Sequence, residues 1–198
     1  IKILYDPVIN VGQLVKKKEK NYTRYKNYYL AIGRLTYQKN FLFLIRCFNL
    51  FLKKNPNEKL LIAGEGEDRK LLQKFILTNN LSKNVILLGH VENIFPILRS
   101  AKAFILSSLW EDPGFVIIES AFCRVPIISS NCQSGPAELI KNNFNGYVFK
   151  SNCEVSFLKT IKTFNEVKNH NYIIKKSLKK IKKFTIFYHY RQLTELLR

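Results

Sequence analysis

Between Tyr28 and Phe149 short apolar runs alternate with amphipathic helical patterns, an alternation that restricts the chain to strands joined by crossover helices in a parallel sheet. The runs predict strands at residues 28–35, 59–63, 85–88, 103–107, 125–129 and 147–149. The intervening patterns predict helices at 41–53, 67–78, 94–100, 115–123 and 135–141. The expected fold class is α/β, a doubly wound parallel sheet with C-terminal helices. Beyond Glu154 the pattern is purely helical, with apolar positions Phe157, Leu158, Ile161 and Phe164, then Ile173, Ile174, Leu178 and Ile181. A separate aromatic, amphipathic helix follows over 185–197 and reads as one that docks on something.

The 198 residues, 46% of them apolar, suffice for one substantial core. Residues 1–20 fit neither sheet nor helix and read as a connector from a domain that precedes Ile1, leaving 21–183 as the sheet domain and 184–198 as the docking helix. Nothing near Ile1 has the layout of a signal peptide, and no apolar run is long enough to span a bilayer. Cys47, Cys123, Cys132 and Cys153 are widely spaced, without a Cys-x-x-Cys pair, and read as free thiols of a reducing cytoplasm.

Thirty-three Lys and Arg against 14 Asp and Glu give a formal charge of +19, which calls for an anionic partner: nucleic acid, an acidic membrane face or a phosphorylated substrate. Much of the excess lies in Lys16-Lys17-Lys18-Glu19-Lys20 and in Lys175, Lys176, Lys179, Lys180, Lys182 and Lys183. Lysine is a point charge, whereas phosphate and base recognition favour the planar fork of arginine. The aromatics sit mostly in apolar runs and are not interleaved with the lysines, so a membrane-facing or solvated surface fits better than a nucleic-acid groove.

In an open parallel sheet ligands bind outside the carboxyl ends of the strands. After the first strand, Gly33-Arg34-Leu35-Thr36-Tyr37-Gln38-Lys39-Asn40 offers two cations able to reach one diphosphate, although an exposed pair of ordinary surface charges reads equally well. After the second, Gly64-Glu65-Gly66-Glu67-Asp68-Arg69 lacks the third glycine of a dinucleotide loop; its acids would repel a pyrophosphate and suit a tight turn entering a helix. After the third, His90 is placed to face a base, or is incidental.

The fourth loop is the most informative. Glu111-Asp112-Pro113-Gly114-Phe115-Val116-Ile117-Ile118-Glu119 sets two carboxylates eight positions apart with a Pro-Gly turn between loop and helix. At 1.5 Å per helical residue they stand about 12 Å apart, close to the length of a sugar nucleotide from hexose to ribose. Two acceptor-only groups at that separation suit hydroxyls at both ends of such a molecule, with the amides of the opening helix turn facing the phosphates between them. Glu119 stands among Phe115, Val116, Ile117, Ile118, Ala121 and Phe122, where an unpartnered carboxylate is costly. Gln133-Ser134-Gly135-Pro136-Ala137-Glu138 opens another helix on the same rim. No Asp-x-Asp metal pair occurs, so no metal cofactor is expected.

Gly33-Arg34 with Lys39-Asn40, the Glu111 to Glu119 spacing, Ser134-Gly135-Pro136-Ala137-Glu138 and Asn145-Gly146 together resemble the donor half of retaining family 4 glycosyltransferases of the two-domain GT-B architecture. The resemblance covers residues 6–149 and the terminal helix. It implies a UDP- or GDP-sugar as substrate, a glycan or lipid-linked acceptor, and an acceptor-binding domain upstream of this segment. It places Arg34 and Lys39 on the donor diphosphate, Glu119 on the ribose, Glu111 on the transferred sugar, the backbone around Gly33, Gly114 and Phe115 on sugar and phosphate, and His90 and Val91 at the base. In that family, retention is attributed to front-face attack assisted by the leaving phosphate, so Arg34, Lys39 and Glu111 would act electrostatically, without an enzyme nucleophile. The chain reads Glu-Asp-Pro-Gly where the family more often has Glu-Gly-Phe-Gly, and Pro113 removes one N–H donor. The implied setting is cytoplasmic, on the inner face of an anionic membrane. The rival readings are a basic nucleic-acid-binding α/β domain, a GT-B epimerase or phosphorylase, and a donor-binding module without activity.

Overall fold

A computed structural model describes residues 3–9, 25 and 27–197; the lysine run 16–20 and most of the expected connector lie outside them. Six parallel strands form one sheet: β1 (Tyr28–Ile32), β2 (Lys59–Ala63), β3 (Val85–Gly89), β4 (Ala101–Leu106), β6 (Ile127–Ser130) and β8 (Tyr147–Phe149), in the order β3-β2-β1-β4-β6-β8. β5 (Trp110–Glu111) and β7 (Gln133–Ser134) make a separate parallel pair. The helices are α1 (Phe41–Leu52), α2 (Arg69–Thr78), α3 (Phe95–Arg99), α4 (Phe115–Phe122), α5 (Gly135–Leu139), α6 (Glu154–Glu166), α7 (Asn171–Ile181) and α8 (Ile186–Leu196).

The period of two along each strand builds two cores at once. Tyr29, Ala31, Leu60, Ile62, Ala103 and Ile105 point to the layer made by α1, α2 and α6, where Phe48, Leu72, Phe157 and Phe164 lie buried. Their neighbours Tyr28, Leu30, Leu61, Ala63, Phe104 and Leu106 point to the opposite layer, against Ile97, Leu98, Ile117, Ile118 and Leu139. Each fully buried aliphatic or Phe side chain contributes about 1.5–3 kcal/mol, which explains why the strands read as near-continuous apolar runs.

The chain winds from β1 outward to β3, then returns to place β4 on the other side of β1, with Leu30 paired to both Leu61 and Phe104. Strand order therefore reverses between β1 and β4. The helices that follow these two neighbours pack on opposite faces of the sheet, α1 in one layer and α4 in the other, which leaves a crevice at the carboxyl ends of the strands.

Several boundaries differ from the expected ones for local reasons. β1 stops at Ile32, and Leu35 is instead fastened to the second loop, its N–H donating to Glu65 O (2.8 Å) and its own carbonyl accepting from Asp68 N–H (2.9 Å). That approach requires Gly66, where a Cβ would stand 2.4 Å from Leu35 O. Glu67 and Asp68 form a turn and α2 begins only at Arg69, so the acids precede the helix. β6 starts at Ile127 because Pro126 has no N–H to give; its carbonyl still accepts from Phe104 N–H (2.9 Å).

At the C-terminal end Thr185 caps α8, its Oγ1 accepting from Tyr188 N–H (3.4 Å). Residues 3–9 run beside it: Ile9 N–H donates to Phe184 O (3.1 Å), Ile186 N–H donates to Ile9 O (3.2 Å), and His189 Nδ1 lies 2.7 Å from Tyr5 O. Phe187 and Tyr190 of α8 are 72% and 70% exposed. Among the described residues no helix is long and apolar enough to cross a membrane.

Candidate functional site

The loops after β1 and β4 meet at the crevice. A 3₁₀ turn (Tyr37–Lys39) brings Lys39 back over the strand ends, where its Nζ lies 2.6 Å from Glu111 Oε1; the side chains are only 16% and 5% exposed. Lys39 lies along Gly33: a Cβ there would stand 3.1–3.3 Å from Lys39 Cε, Cδ and Cγ. Glycine at position 33 thus leaves a channel for the lysine stem.

The two loops are stitched by further bonds. Leu109 N–H donates to Gln38 O (2.8 Å), Gln38 Nε2 to Trp110 O (2.9 Å) and Ser107 Oγ to Lys39 O (2.7 Å). Ser108 Oγ donates to the same Glu111 Oε1 that Lys39 holds, at 2.5 Å, and Ser130 Oγ donates to Ser108 O at 2.7 Å. Ser107, Ser108 and Ser130 are buried, each with its hydroxyl paired.

Arg34 opens the adjoining space. It lines a cavity of about 370 Å³ with Gly33, His90 and Val91, floored by Ile32, Ala63 and Ile94 and edged by Glu65. Val91 is buried and His90 exposed, so the cavity combines an apolar wall with a polar rim. Arg34 is exposed and, among the described residues, forms no ion pair; Glu65 is taken by Arg69 at 2.8 Å.

On the other side Gly114 introduces α4 with φ 79° and ψ 54°, a left-handed backbone that favours glycine, and no side chain caps the helix. Ile117 N–H donates to Gly114 O (3.0 Å), and the amides of Phe115 and Val116 are left for a ligand or water. The loop is pinned by β5 and β7, which pair Trp110 with Gln133 and Glu111 with Ser134. Gly135 makes this possible: a Cβ would lie 1.8 Å from Pro113 O. The peptide bond before Pro113 is cis.

Glu119 stands on the second turn of α4, half-buried. Among the described residues its carboxylate forms no ion pair or hydrogen bond, and burial pushes the carboxyl pKa above the ordinary range. The structure thus joins Lys39 to Glu111 directly and Arg34, Gly33, His90 and Val91 through one cavity, while Gly114 and Phe115 lead from Glu111 into the helix that bears Glu119. The three serines and Gln38 escape a reading of charges and glycines; the one trace of them is the Ser107-Ser108 pair at a strand end. Cys47, Cys123, Cys132 and Cys153 are free thiols. Among the described residues no three His, Cys, Asp or Glu side chains gather as metal ligands.

Such a site can hold an anion between Arg34, Lys39 and helix amides while carboxylates accept from hydroxyls. The chain is also similar to known proteins. A family model described as glycosyl transferases group 1 matches residues 12–183. The chain is 40% identical over 131 residues to an uncharacterized glycosyltransferase of Methanocaldococcus jannaschii, MJ1059, covering 66% of this chain and 32% of the relative. It is 32% identical over 180 residues to the UDP-Gal:alpha-D-GlcNAc-diphosphoundecaprenol alpha-1,3-galactosyltransferase of Escherichia coli, covering 89% and 46%. The chain therefore spans a third to a half of the length of these relatives. Among solved structures, the pneumococcal O-GlcNAc transferase GtfA with UDP and GlcNAc superposes with a TM-score of 0.79 at 17% identity, over 100% of this chain and 38% of that one. TarM gives 0.76 at 24% identity, over 88% and 35%. These likenesses establish the fold, the Rossmann-like α/β sheet of GT-B glycosyltransferases. With its family model covering most of its length, the chain belongs to the group 1 glycosyl transferases.

Proposed function

We propose that this chain is the donor-binding half of a metal-independent, retaining glycosyltransferase that moves a hexose-type sugar from UDP or GDP to a glycan or lipid-linked acceptor. The observation that carries the reading is the convergence of Lys39 and Glu111, from different strands, at the one place where strand order reverses. Arg34 and Lys39 hold the diphosphate, the amides after Gly114 add their dipoles, and Glu111 takes a hydroxyl of the transferred sugar. Glu119 takes the ribose hydroxyls, which relieves its unpaired burial, and His90 and Val91 border the base. In the transfer the bond from the anomeric carbon to the diphosphate oxygen breaks, the acceptor oxygen bonds that carbon on the same face, and the acceptor proton passes to the departing phosphate. Cations and helix amides stabilise the charge growing on the leaving group.

Titration of UDP, GDP and their sugars tests this. Arg34→Ala and Glu119→Ala are each expected to weaken binding about tenfold or more, since a hydrogen bond to a charged group contributes about 1.5–3 kcal/mol. Unchanged affinity in both variants would refute the reading. The isolated chain is expected to bind donor and transfer nothing, the acceptor site being supplied by an upstream domain.

The relatives also support a place at the inner face of an anionic membrane, because the Escherichia coli enzyme's name specifies a diphosphoundecaprenol acceptor. Lys175, Lys176, Lys179, Lys180, Lys182 and Lys183 follow one another on α7 and the turn after it, without a carboxylate between Glu166 and Glu195. Sedimentation with phosphatidylglycerol vesicles should retain the protein and neutral vesicles should not; equal binding to both would exclude charge-driven attachment.

A further inference from the structure

Glu111 has two carboxylate oxygens, and the fold treats them differently. Oε1 accepts from both Lys39 Nζ (2.6 Å) and Ser108 Oγ (2.5 Å). Oε2 accepts nothing among the described residues and is not fully buried. Free rotation about the terminal bond of a glutamate normally makes its oxygens interchangeable. Here two donors converging on one position hold the plane of the carboxylate, so that one oxygen always faces them and the other, Oε2 as numbered, always faces away. Lysine alone would not, since a flexible ammonium can follow either oxygen; Ser108 is three residues from Glu111, buried, and its carbonyl is gripped by Ser130 Oγ (2.7 Å).

We infer that Ser108 is a positioning residue that commits Glu111 to presenting Oε2 alone to the transferred sugar, and so sets which hydroxyl stereochemistry the site accepts. This rests on the donor-site reading above. A single fixed acceptor fits a hydroxyl on one face of the ring and leaves its epimer unpaired, whereas a freely turning carboxylate accepts from either. Ser108 itself touches no ligand group in this scheme. Its hydroxyl proton is spent on Oε1.

The test measures three affinities in the full-length protein: the free nucleoside diphosphate (UDP or GDP, whichever binds), and two epimeric sugars on it, UDP-glucose and UDP-galactose or GDP-glucose and GDP-mannose. In the unsubstituted protein one epimer should bind more tightly than the other. Ser108→Ala is expected to reduce that preference about tenfold, the loss of one hydrogen bond to a charged group, while the affinity for the free diphosphate stays within about twofold. Ser108→Cys keeps the shape but donates weakly and should fall between; it also serves should the alanine variant melt early. A preference unchanged in both variants overturns the inference, as does a parallel loss for diphosphate and sugars, which marks a merely structural serine. The absence of any epimer preference in the unsubstituted protein overturns it too. If neither UDP nor GDP binds, the donor-site reading fails first and the inference falls with it.

Discussion

Lys39 Nζ and Glu111 Oε1 meet at 2.6 Å although 72 positions separate the two residues and each leaves a different strand. The pair welds the β1 and β4 loops at the crevice, and its two members differ in how much they lose when parted. Glu111 is 5% exposed and depends on its partners, whereas Lys39, at 16%, reaches solvent more easily. Lys39→Ala should therefore destabilise the fold by about 1–3 kcal/mol by stranding a buried charge. Glu111→Gln should cost less. Urea unfolding of both variants and their double mutant measures this; equal losses, or none for Lys39→Ala, would show that the pair is not held in solution.

Glu119 gives a pH signature. Its folded-state pKa is raised by burial, so its charge opposes folding above that pKa, and the penalty disappears as pH falls below the unfolded value of about 4.3. Glu119→Gln, unable to ionise, should raise Tm at neutral pH without ligand and lose that advantage near pH 4. Thermal melts across pH 4–8 decide; a neutral-pH Tm below that of the parent would mean that the carboxylate is satisfied in the fold.

Two glycines should respond unequally to the same substitution. Gly135→Ala drives a Cβ to 1.8 Å from the backbone oxygen of Pro113, which cannot move without the whole Glu111 loop. It should cost about 1–3 kcal/mol and weaken nucleotide-sugar binding. Gly33→Ala strains a backbone at φ 157° but meets only the flexible methylenes of Lys39, at 3.1–3.3 Å, so it should cost less than the backbone clash at position 135 while displacing the ammonium. Chemical denaturation alongside donor titration separates the cases; equal tolerance would contradict the packing at Pro113.

Phe187 and Tyr190 project from α8 and contribute little to the described fold. Phe187→Ser with Tyr190→Ser should leave stability of this chain within about 0.5 kcal/mol per site. A larger loss would place these rings inside a packed interface.

The sheet was legible because its strands are buried on both faces and its helices carry clear apolar stripes; helix α1, with Phe41, Leu44, Ile45, Phe48, Phe51 and Leu52 buried, is the plainest case. Among candidate site residues, charge and glycine punctuation led to Arg34, Lys39, Glu111 and Gly114. What escaped depends on long-range pairing: β5 and β7 are two residues each, too short for any periodicity, and Ser108 and Ser130 acquire meaning only when β4 and β6 lie side by side. The early end of β1 escaped for the same reason, since Leu35 is captured by a loop 30 positions away through the space left at Gly66.

Because Lys39 already has an anion beside it, the crevice does not offer two bare cations to a phosphate. An incoming ligand must draw the ammonium away from, or share it with, a carboxylate fixed in place by the fold, whereas Arg34 is exposed and has no such rival among the described residues. Binding at Lys39 is then an exchange of one anion for another, less sensitive to added salt than binding at Arg34, and a doubly charged diphosphate competes in it better than a singly charged anion.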